Sequence, residues 1–274
     1  MAVFATLAAA LVLAAPAPAA PLPTTPDGFA KALTQAHERV AAEVDAWRTE
    51  GDPGKGGAPD PLQREALRQQ RLYRFLGRHP RTARRTLRRL PLSIRTDARL
   101  TIRALSSLFT LSSQTKITKR SHLRVGKAEP ADVLMRHYVS AQKRFRVAWF
   151  VLASVNMVES GFNRLRNSSV AGAQGPMQFI PSTWSAFGLG GDIHDPRDAI
   201  MGAANYLHAN GAPDDYRRAL YRYNPSSLYV SAVLNHARRM AHDKRAFYEY
   251  YAWQVFVRTR HGERRLTGPG VGRD

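Results

Sequence analysis

The chain has 274 residues, no cysteine, 44 % hydrophobic residues, and 41 Lys+Arg against 21 Asp+Glu, a formal charge of +20. This apolar share excludes a wholly disordered chain, and the length allows one or two domains. The charge is concentrated: residues 64–127 hold 18 basic and 2 acidic side chains, against 4 and 7 before them and 19 and 12 after. Such a block points to a polyanionic partner.

Residues 1–20, MAVFATLAAALVLAAPAPAA, form an uncharged apolar run ending in alternating Ala and Pro. Ala17-Pro18-Ala19 fits a small-x-small cleavage site, so residues 1–19 are expected to be a signal peptide, and the protein to be exported. Pro16 and Pro18 break the run short of a membrane span. In an oxidising compartment, a chain without cysteine relies on its core alone.

Residues 20–63 are expected to comprise one amphipathic helix, 27–50, followed by a flexible linker. Phe29, Leu33, Val40, Val44 and Trp47 recur at helical spacing, and GDPGKGGAPDP follows at 51–61. In the basic region, 64–127, Leu72, Phe75, Leu76, Leu87, Leu90, Leu105, Leu108 and Phe109 keep helical spacing, while Pro80 and Pro91 cut it into short helices. Two readings are compatible here: a helical bundle with a solvated Arg face, and a face that binds polyanions. Only Tyr73, Phe75 and Phe109 are aromatic in this block. That is sparse for base stacking, so nucleic acid is not the expected partner, and an anionic wall polymer or membrane surface is.

Beyond Gly126 the arginines thin out. Helices are expected at 131–141, 147–159, 196–210, 214–223, 226–242 and 244–259, with 261–274 a disordered tail. Val147–Glu159 is apolar almost throughout, the signature of a buried helix, and Gly161 is a natural stop. A carboxylate at the end of such a helix is desolvated, which raises its pKa and suits Glu159 to general acid work. The stretch after it, ESGFNRLRNSSVAGAQGPMQFIPSTW (159–184), holds glycines that allow close backbone approach, with Gln178 offering donor and acceptor. Met177 and Phe179 either offer apolar faces to a bulky ligand or pack in the core, and Trp184 is assigned to the core. Tyr223 is expected to bring a phenol beside Glu159. Asp192, Asp195 and Asp198 lack the register of a calcium loop, and Asp195 before Pro196 suits a helix N-cap. No metal or other cofactor is expected.

Glu159-Ser160, Phe162-Asn163, the Ser-x-x-Gly-Ala-x-Gly turn at 169–175, Pro176-Met177-Gln178-Phe179, Pro181-Ser182-Thr183 and the later Tyr223-Asn224 together resemble the signature of the soluble lytic transglycosylases. The resemblance spans roughly 130–255. It implies a mainly α, lysozyme-like catalytic domain at 128–260, preceded by the basic helical region, acting on peptidoglycan. It further implies Glu159 as the catalytic acid and then base in cleavage of the β-1,4 bond between N-acetylmuramic acid and N-acetylglucosamine, with a 1,6-anhydro product. The implied substrate-binding residues are Ser168 or Ser169, Gly175, Met177, Gln178, Phe179, Tyr223 and Asn224. The segment from Glu159 to the turn is one residue longer than in the commonest pattern, and Pro225-Ser226 stands where Ala-Gly is usual. A hydrolytic muramidase of the same fold and a non-catalytic basic wall-binding protein remain alternatives.

Overall fold

Prolines and capping side chains set the helix boundaries in the computed structural model, which describes residues 21–114, 123–260 and 262–271. The segment read as a signal peptide lies outside the described residues. Helix α1 (Pro26–Thr49) starts where Thr25 accepts from the Gly28 amide at 3.1 Å, and it buries the predicted stripe from Phe29 to Trp47. Helices α2 (Asp60–Arg78), α3 (Pro80–Arg89) and α4 (Leu92–Gln114) follow, divided at Pro80 and Pro91. Next come α5 (Ala131–Phe145), α6 (Trp149–Ser160), α7 (Pro181–Phe187), α8 (Pro196–Ala209), α9 (Tyr216–Tyr223), α10 (Ser227–His242) and α11 (Arg245–Ala252). Asp195 caps α8 by accepting from the Asp198 amide at 2.9 Å. Among the described residues the only sheet is an antiparallel hairpin of β1 (Phe256–Thr259) and β2 (Gly262–Arg265).

Three expectations are corrected. The Gly/Pro segment after α1 is not a free linker: Pro53 and Ala58 are buried, and the Pro53 carbonyl accepts from the Asp132 amide at 3.0 Å. The helix expected at 244–259 ends at Ala252 and gives way to β1. Residues 262–271, read as part of a disordered tail, complete the hairpin and fold back on the body. Leu266 donates to the Val255 carbonyl at 2.8 Å, and Glu263 pairs with Arg74 and Arg78. Local composition gives no sign of partners so far away in sequence.

The basic helices are not a detached module. α10 packs against α4 on one side and α6 on another, α1 packs on α11, and one apolar cluster runs from Phe29 to Trp253. Polar groups tie the same parts together. Gln70 Nε2 donates to the Gln254 carbonyl, and the Gln254 amide donates back to Gln70 Oε1, both at 2.9 Å. Thr101 and Tyr250 share a hydrogen bond of 3.0 Å. Removing residues 1–127 therefore strips the cover from α10 and α11. We expect the truncated chain to lose its cooperative thermal transition and to be degraded rapidly in limited proteolysis.

Candidate active site

The sequence after α6 is shaped by three consecutive residues in the left-handed region, Gly161 (φ 59°), Phe162 (φ 62°) and Asn163 (φ 64°). Two of the three are not glycine, so the turn is strained, and surrounding contacts must hold it. Ser160 supplies them. Its hydroxyl donates to the Pro176 carbonyl at 2.6 Å and accepts from the Asn163 amide at 2.8 Å. Behind it, buried Asn156 donates to the Tyr138 hydroxyl at 2.8 Å. One buried serine thus fixes the end of α6 to the 175–179 loop and thereby sets the direction of its neighbour, Glu159.

Glu159 is half-buried, and desolvation pushes its carboxyl from the ordinary 4.5 up to about 7. The opposing influence is the Tyr229 hydroxyl, which donates to Glu159 Oε1 at 2.7 Å and favours the ionised form. No second carboxylate is among the groups that shift it. Tyr229 is buried on the first turn of α10, whose N-cap is Ser226. Sequence reasoning missed it, although a tyrosine on an apolar helix face needs a partner for its hydroxyl, and a nearby buried carboxylate was already in view. A Tyr229→Phe change removes the donor and is expected to move the alkaline limb of the kcat/KM profile up by about one pH unit, since a hydrogen bond to a charged group contributes roughly 1.5–3 kcal/mol. A pH–rate profile on a soluble glycan checks this. An unmoved limb would show that Tyr229 does not govern Glu159.

Tyr223 does approach the site: burial, and then the charge of Glu159, hold its phenol well above its ordinary pKa. Its hydroxyl, however, donates to the Met177 carbonyl at 2.7 Å, so it braces the 175–179 loop. Asn224, half-buried, closes α9, and its carbonyl accepts from the Ser226 amide at 2.7 Å. Gln178, at φ 52°, turns its Nε2 onto the carbonyls of Gly175 (3.0 Å) and Asn167 (3.4 Å). Its amide nitrogen is thus committed, and what it offers a ligand is its oxygen.

Other predicted contacts fall elsewhere. Met177 (0 % exposed) and Phe179 (3 %) lie in the core, so neither side chain is a platform for sugar; Phe179 packs on Trp184 and Tyr223 with ring centroids 5.3 and 5.8 Å apart. At Gly175 the close neighbour is protein: at φ 73° an added Cβ would stand 1.9 Å from the Ile193 carbonyl oxygen. Ser169 Oγ accepts from the Ala173 amide at 2.9 Å and so builds the turn, whereas Ser168 is exposed. Asp192 and Asp195 accept from the backbone amides of His194 and Asp198, at 2.8 and 2.9 Å.

A cavity of about 190 Å³ opens beside Glu159. Gln70 and Arg74 of α2, Leu105 of α4 and Phe256 of β1 contribute to its wall. The surroundings of the carboxylate therefore include residues far outside the segment that carries the sequence signature.

A protonatable carboxylate at the end of a buried helix, hydrogen-bonded to a phenol and facing a cavity, is suited to general acid–base chemistry. The family comparison agrees: residues 138–244 match the model of the transglycosylase SLT domain, so the chain carries an SLT domain, a peptidoglycan-cleaving domain of the lytic transglycosylase type, within a mainly α structure. No curated protein and no solved structure matches the chain significantly.

Proposed function

We propose that this protein is an exported lytic transglycosylase that cleaves the β-1,4 bond between N-acetylmuramic acid and N-acetylglucosamine. The observation that carries this reading is the isolation of Glu159: a carboxyl pushed to about 7, with the Tyr229 phenol as its side-chain hydrogen-bond partner. Near neutral pH such a group is divided between its acid and base forms, as a residue acting in both capacities requires. Glu159 gives its proton to the glycosidic oxygen as the C1–O bond breaks, and positive charge develops at C1 in an oxocarbenium-like state. The muramoyl 6-hydroxyl then bonds to C1 and passes its proton to Glu159, which restores the acid. No water is consumed, and no second carboxylate takes part.

A hydrolase of either stereochemical course would place a second carboxyl group about 5–9.5 Å away. Between Ser160 and Asp195 the acids are Asp192 and Asp195, and each accepts from a local backbone amide, which supports the one-carboxylate scheme. Digestion of purified sacculi tests it. Muropeptides lighter by one water than the hydrolysed species are expected, and the hydrated species as sole product would establish a muramidase instead.

A further inference from the structure

We propose that the groove between α3 and α4 binds a linear, non-aromatic polyanion whose phosphodiesters are joined by sugar or polyol units. The groove has a volume of about 420 Å³. It is lined by Arg84 and Arg88 from α3 and by Arg95, Arg99 and Arg103 from α4, over an aliphatic floor. Gly77 makes the floor possible: an added Cβ would press on Phe109 and Leu105 of α4, at 3.0 and 3.1 Å.

Among the described residues no carboxylate neutralises these arginines. The block 64–127 contains two acids, and both are engaged elsewhere: Glu65 pairs with Arg68 at 2.5 Å, and Asp97 lies buried against Arg239 and His242. Arg95 is turned onto the Leu90 carbonyl at 2.7 Å. Arg84, Arg88, Arg99 and Arg103 are exposed and have no ion pair among the described residues. Four like charges gathered around one concavity repel one another, and a bound polyanion relieves that repulsion.

The geometry selects the kind of anion. On each helix the arginines recur every four residues, a rise of about 6 Å per step, which suits successive phosphates of an extended chain. The lining contains no aromatic side chain, so nucleic-acid bases find nothing to stack on. A concave site between two helices also seats a strand better than it seats a flat bilayer. The assignment is independent of catalysis, and it locates on one groove the polyanion contact expected from the charge of this block.

The test uses the full-length protein and poly(glycerol phosphate), with an oligothymidylate of equal phosphate number and phosphatidylcholine–phosphatidylglycerol vesicles as competing ligands. Release of about 0.7 counterion per phosphate contact predicts that Arg84→Gln, Arg88→Gln, Arg99→Gln and Arg103→Gln together flatten the slope of log affinity against log salt by about 3. Between about 50 and 200 mM salt, those four contacts alone account for roughly a 50-fold loss of wild-type affinity. The pair Arg84→Gln and Arg99→Gln should remove about half that slope, and all variants should cleave soluble glycan fragments at the wild-type rate, which shows that they are folded. Equal slopes for wild type and the fourfold variant would overturn the proposal. So would oligothymidylate or vesicles binding as tightly as the polymer.

Discussion

Glu159→Gln is expected to abolish glycan cleavage and, above neutral pH, to make the protein more stable. The first effect follows from the double use of one group. A positioned general acid contributes about 10²–10⁴-fold, and here its loss removes both the acid and the base. The second follows from the same desolvation that tunes the residue. In the folded chain Glu159 holds its proton up to a pKa of about 7, whereas its ordinary value is 4.5. The folded state therefore binds more protons than the unfolded state between these values. Stability falls as pH rises from about 4.5 to 7 and stays low beyond. The difference corresponds to at most roughly 3 kcal/mol, and partial solvent exposure of Glu159 reduces it to about 1–2. Glutamine has no charge to desolvate. Thermal melts of both proteins at pH 5 and pH 8 should show the variant gaining only at the higher pH, and a gain independent of pH would mean that burial does not raise Glu159. Cleavage by the variant at the wild-type rate would remove Glu159 as the catalyst.

The largest loss of stability is expected from Arg239→Met. Arg239 is buried on α10, with Asp97 of α4 at 3.5 Å and Glu249 of α11 at 3.4 Å. Burial works against its charge, but Glu249, Tyr250 and Asp97 together hold its pKa above the usual value. Glu249 is itself pushed upward by burial and drawn down by Arg239. Methionine fills much of the space yet leaves Glu249 without its cation and takes from Asp97 one of its two partners, His242 being the other. Breaking a buried pair in this way costs about 3–5 kcal/mol, or roughly 10 °C in melting temperature for a chain of this size. Glu249, already pushed upward by burial, should take up a proton in the folded state once Arg239 no longer draws it down, so the defect is expected to be smaller at pH 5 than at pH 8. Adding Asp97→Asn and Glu249→Gln should recover much of the loss, because no uncompensated charge is then buried. A single variant that melts like the wild type, at either pH, would show that this network does not hold α4 to α10 and α11.

Much of this protein is determined by short-range sequence. Pro80 and Pro91 divide the basic helices, because proline cannot donate within a helix. The almost continuously apolar run before Glu159 forces α6 inside, and Gly161 ends it in the left-handed conformation that glycine adopts at least cost. Desolvation of Glu159 follows from that placement alone. What only the tertiary structure decided depends on groups far apart in the chain. The Tyr229 hydroxyl reaches Glu159 across 70 residues. Glu263 turns an apparent tail into a hairpin by pairing with Arg74 and Arg78. The apolar Met177 and Phe179 looked suited to a ligand, yet the loop held by Ser160 and Tyr223 turns them into the core. Periodicity and local conformational preference act over a few residues and can be read along the chain. Which buried hydroxyl meets which carboxylate, and which arginines are left without a counter-charge, is settled only when distant helices share one core.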